Sequence, residues 1–206
     1  MKASTAIGGV FAGQLGYLLM LFAAWLVLPL LGRYGVAVQV GGWWALQLLV
    51  TGSLAVLAAS GTAPRLAAVL CSASALDLIV DVVGEAHSGS LITIPVRPAA
   101  VLSTLSVLLA YGVRLTLIVL LARLSGRRAF WAIPPLAVAF VLQLGHASFN
   151  VSAHFLLIDP SLLKQSLWLN VAKPLIALLT NFALVTGALG AWLSVRAEEA
   201  RTTPSE

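Results

Sequence analysis

Asp77 and Asp81 stand four residues apart in a stretch, Leu66–Val83, that is otherwise apolar or small. On a helix they share one face, with Ser74 beside them and Glu85 about one turn beyond Asp81. Carboxylates so placed can take up protons, bind a cation or pair with a base. Arg114 and Lys173 are the candidate bases, because each also interrupts an apolar run. The four charges cancel. Each one costs about 2.5–3.5 kcal/mol near the centre of a membrane helix, so they are expected to turn inward and meet.

A second polar series runs through Gln143, His146, Asn150 and His154, in steps of three, four and four. At 100° per residue these fall on one narrow stripe, which is hard to place against lipid. Asn170, Lys173 and Thr180 draw a similar line, with Asn181 flanking it. Ser103, Tyr111 and Arg114 share a broad face, and Trp44, Gln47 and Thr51 another; Gln14 and Tyr17 are available further upstream. The residues expected to form a common polar cavity are Asp77, Asp81, Arg114, His146, Asn150, His154, Asn170 and Lys173.

Six apolar segments must carry these residues. A hydrocarbon layer of about 30 Å needs roughly 20 helical residues. The segments predicted to reach that length are 10–31, 40–59, 66–84, 99–122, 131–155 and 167–194. Pro29 with Gly32–Gly35 closes the first; Trp43 and Trp44 open the second and suit the headgroup level. Pro134 and Pro135 enter the fifth where missing N–H groups matter little, and Pro174 interrupts the sixth. Gly9, Gly13 and Gly16 put small residues near one face of the first helix, which permits close helix contact. On this spacing Asp81 and Lys173 both come out about 24 Å from the terminal face, Asp77 about 17 Å and Arg114 about 12 Å. His146 falls near 22 Å, so the cavity is expected to begin at mid-membrane and open away from the termini.

Composition agrees with an all-α membrane bundle. Of 206 residues, 60% are hydrophobic and only 9% charged, too few to wet the outside of a soluble domain. The mean hydropathy of +1.01 points the same way. Residues 1–195 read as one six-helix domain and 196–206 as a short polar tail. With the termini inside, Lys2, Arg65, Arg123, Arg127, Arg128, Arg196 and Arg201 are cytoplasmic, against Arg33, Arg97 and Lys164 outside. That asymmetry predicts both termini in the cytoplasm. Leu, Ala and Gly richness, with Arg preferred to Lys, fits a GC-rich bacterium and hence the inner membrane.

The net charge of +5 is scattered between apolar runs, so no nucleic-acid partner is expected; the partner is the lipid bilayer, with a homo-oligomer or a larger membrane complex in view. Cys71 is the only cysteine, which excludes an intrachain disulfide and a cysteine metal cluster. There is no Gly-x-Ser-x-Gly elbow and no His-Glu-x-x-His, so no catalytic residue, metal ligand or cofactor is assigned. His146 and His154 lie about 12 Å apart along one helix and cannot bind one haem iron together. The function expected is transport of a small solute, linked to protons, or a permease subunit. An accessory subunit with a structural ion-pair network is the alternative, followed by an intramembrane enzyme and a b-type haem protein.

Overall fold

A computed structural model describes residues 2–88, 91–126, 128–155 and 172–202. It is all-helical over these residues, and six helices are long and apolar enough to cross a membrane. They are α1 (Ala3–Leu26), α2 (Arg33–Ala59), α3 (Pro64–Ser88), α4 (Val96–Ser125), α5 (Ile133–Phe155) and α6 (Lys173–Thr202). Short 3-10 turns, Leu28–Leu31 and Phe130–Ala132, precede α2 and α5.

Five helices form a ring in the order α1, α2, α3, α4, α6, back to α1, and α5 packs outside against α4 and α6. The ring closes on side chains rather than backbone. Ile7 and Val10 of α1, Leu54 of α2, Leu70 of α3, Leu117 and Leu121 of α4, and Ala188 of α6 are all buried in one apolar cluster. Large side chains such as Leu19, Val69, Leu108 and Val138 lie on the outside, where lipid rather than water suits them.

Close contact between α1 and α2 depends on small residues. Cβ atoms added at Gly9, Gly13 and Gly16 would lie 2.1 Å from Ser53 Oγ, 2.4 Å from Val50 Cγ2 and 2.3 Å from Leu46 Cδ2. The two helices thus mesh antiparallel, with the glycine face of α1 against every third or fourth residue of α2. Gly187 and Gly190 serve α6 in the same way, against Leu136 and Ala132.

Several boundaries differ from the sequence expectation. α1 begins at Ala3 rather than near residue 10: Ser4, Thr5, Gly8 and Gly9 break up the apolar run there, but Ala3, Ala6 and Ile7 are buried against the bundle. α2 begins at Arg33, seven residues before the expected start. α6 continues to Thr202, so most of the expected polar tail is helix. The extension is held by contacts at the terminal face: the Arg196 guanidinium lies 5.2 Å from the Trp192 ring centroid. The Glu199 carboxylate accepts hydrogen bonds from the Ser4 N–H and hydroxyl in the first turn of α1. A carboxylate there meets orphan donors and the positive end of the helix dipole. Both termini therefore share one face of the bundle. Pro174 is the second residue of α6.

Candidate functional site

Asp77 lies near the middle of α3 and is buried at 7% exposure. Its Oδ2 accepts a hydrogen bond from Gln47 Nε2 at 3.1 Å, across the α2–α3 interface. The same amide nitrogen is 3.4 Å from the Ser74 carbonyl, and the Thr51 and Ser74 hydroxyls are 2.7 Å apart. One turn further toward the membrane's terminal face, the Cys71 thiol donates to the Thr51 carbonyl at 3.5 Å. The polar seam between α2 and α3 thus runs from Cys71 through Ser74 to Asp77, about two turns of α3. Asp77 Oδ1, by contrast, is buried with no hydrogen-bond partner among the described residues.

Asp81 is one turn nearer the opposite face and is half-buried. Its Oδ1 accepts the Ser106 hydroxyl of α4 at 3.0 Å. Arg114, two turns along α4 from Ser106, acts on Asp77 through space, and its charge also reaches Tyr17 on α1. Among the described residues the hydrogen-bond partner of Asp77 is therefore Gln47 rather than Arg114. Among the described residues, Asp77 and Asp81 of α3, Arg114 of α4 and Tyr17 of α1 share this part of the bundle.

Above this layer a cavity of about 590 Å³ opens between α2, α3 and α4. Gln39, Trp43, Trp44 and Gln47 line it from α2, Asp81 and Glu85 from α3, and Ser103 and Ser106 from α4. Val40, Val80, Leu102 and Val107 supply its apolar wall. The His87 Nδ1 accepts the Ile94 N–H at 3.3 Å, which ties the α3–α4 connection over the mouth. Gln47 joins the two levels, since it lines the cavity and also holds Asp77.

The polar stripe of α5 is divided between two neighbours. His146, 5% exposed, faces α4: its Nδ1 lies 3.2 Å from the Tyr111 hydroxyl, and the rings meet edge-on at 5.3 Å. Gln143 faces α6, its Nε2 donating to Thr180 Oγ1 at 3.0 Å, while Oε1 is buried without a partner among the described residues. Neither His146 nor Arg114 lines the α2–α3–α4 cavity. The side chains of Asn150, His154 and Lys173, and the whole of Asn170, lie outside the described residues. α3 and α6 do not adjoin over the described residues, so an Asp81–Lys173 pair would have to reach across the ring.

Of the residues expected to form the cavity, Asp81 lines it; Trp44, Gln47 and Ser103, read from sequence as polar faces of their own helices, line it too, and Trp43 and Ser106 join them. The tryptophans look like headgroup anchors only while α2 is taken to start near residue 40. With the start at Arg33 they lie roughly 15 Å along the helix. Trp43 packs edge-on against Tyr17 at 6.0 Å, and its indole N–H is buried without a partner. Ser103 and Ser106, three apart on α4, are the spacing signal that pairs with Asp81. No group of three or more His, Cys, Asp or Glu gathers as a metal site among the described residues.

The chain matches no known protein family, no curated protein and no solved structure.

Proposed function

We propose that this multi-pass membrane protein is a carrier, or the membrane subunit of a permease, for a small solute that enters the α2–α3–α4 cavity. The observation behind this reading is the continuity from the cavity to Asp77 through Gln47. A carboxylate oxygen buried without a partner is costly unless something fills it, and a proton or a bound cation would do so. Occupation of the cavity would act on Gln47 and so on Asp77, which links solute to ion. The excess of Lys and Arg at the terminal face supports a cytoplasmic setting for that face, and on this reading the cavity faces the outside of the inner membrane. A bundle this small is expected to work as a homo-oligomer or within a larger complex.

The reading is tested with protein reconstituted on a solid-supported membrane and challenged with pools of amines, amino acids, sugars and organic acids. At least one pool should evoke a charge displacement that Asp81→Asn abolishes and Asp77→Asn uncouples from pH. Folded protein that answers no pool would overturn it.

A second reading is an accessory subunit whose polar contacts only set helix register. The Tyr111–His146 and Gln143–Thr180 contacts favour it, since both join neighbouring helices away from the cavity. Under that reading, Asp77→Leu with Arg114→Leu would leave a stable protein and an intact host phenotype.

A further inference from the structure

The lining of the cavity selects among solutes by charge. Asp81 and Glu85 are its acidic groups, one turn apart on α3, and no Lys or Arg lines it among the described residues. Only Oδ1 of Asp81 is engaged by a described hydrogen bond, from Ser106. Facing these carboxylates from α2 are Trp43 and Trp44, and Trp43 is braced from behind by Tyr17. An anion would meet two like charges in a partly dehydrated space. A neutral solute would leave the half-buried Asp81 without a counter-charge while displacing water from it, at a desolvation cost it could not offset. An inorganic cation needs six or more oxygens at short range, whereas this space is about 590 Å³ and walled in part by valine and leucine. A cation carrying an apolar body meets all three conditions: carboxylate for the charge, indole for cation–π contact, aliphatic wall for the remainder.

We propose that the α2–α3–α4 cavity binds an organic cation, an ammonium bearing an alkyl or aryl group, with Asp81 as counter-charge and Trp43 as aromatic wall. This names the solute class for the carrier reading above and rests on it. The probe is radiolabelled benzyltrimethylammonium, measured by equilibrium dialysis against the full chain in neutral phosphatidylcholine nanodiscs. Saturable binding is expected, displaced by the unlabelled cation but not by equal concentrations of phenylacetate or benzyl alcohol. Asp81→Asn should weaken it at least about tenfold, as loss of a charged partner does. Trp43→Leu should weaken it roughly three- to thirtyfold. Asp81→Glu keeps the charge and should restore most of the affinity, which separates loss of the counter-charge from loss of the fold. Glu198→Gln, on the exposed end of α6, should leave binding unchanged.

Absence of saturable binding by the folded protein, equal competition by phenylacetate, or indifference to Asp81→Asn would each overturn the proposal. The two readings part in proteoliposomes. Cation binding without uptake keeps this proposal and removes the carrier; uptake of a sugar or an acid without cation binding does the reverse.

Discussion

At the scale of single residues, the membrane makes every polar atom answer for its surroundings. Gln143 is fully buried between α5 and α6 and uses only half of its amide, donating to Thr180 while Oε1 is unmatched. Interhelical hydrogen bonds of this kind are worth about 0.6 kcal/mol on average in a membrane, and an orphan acceptor subtracts from that. Gln143→Leu alone strands the Thr180 hydroxyl and should destabilise by about 0.5–1.5 kcal/mol. Paired with Thr180→Val it removes both ends and the orphan, so the double variant should be at least as stable as the parent. Unfolding by SDS titration in mixed micelles reads both. A double variant that is stable yet loses transport would show that Gln143 has a task beyond packing. The need of Asp77 for polar company can be read from its type and its apolar neighbours. That the company is Gln47 rather than Arg114 cannot, because the choice depends on which helices adjoin, and α2 lies beside α3.

At the scale of helices, the α1–α2 seam decides how tightly the ring closes. A methyl at Gly13 would lie 2.4 Å from Cγ2 of Val50, a stiff β-branched side chain that is itself buried. Gly13→Ala should therefore destabilise by about 1–3 kcal/mol. Val50→Ala in the same chain should recover most of the loss, which a general intolerance of α1 to substitution would not allow. Gly145 has open space around it, and Gly145→Ala should be neutral or slightly stabilising. Thermal denaturation in detergent ranks the three. The existence of six helices is legible because each apolar run is long enough to span. Their ends are less legible: Ser4, Thr5, Gly8 and Gly9 dilute the apolar signal at the start of α1, and only packing shows that Ala3, Ala6 and Ile7 belong to it. The α5 stripe shows the same limit: spacing places Gln143 and His146 on one face, but α4 and α6 share that face and divide it.

For the molecule as a whole, both termini lie at one face and the cavity belongs to the other half. The Ser4–Glu199 contact sets the first and the lining by Gln39, Glu85 and Ala99 the second. In a Cys71→Ser background, a cysteine at Glu85 should react with a membrane-impermeant maleimide in intact cells. One at Thr202 should react only after permeabilisation. The reverse pattern would turn the bundle over and assign the cavity to the cytoplasm.

The place of α6 in the ring has a bearing on the order of events during synthesis. Among the helices of the described residues, α1 adjoins α2 and α6, and α6 is the helix that stands between α1 and α4. The helix that completes the circle is the latest of the six to leave the ribosome. Until it arrives, Ala3, Ile7 and the inner face of α4 have lipid where they will have protein, and the aspartates of α3 sit in an open arc. Packing can follow translation pair by pair from the first span to the fifth, but the seam between the first and the fourth closes only when the sixth slides between them.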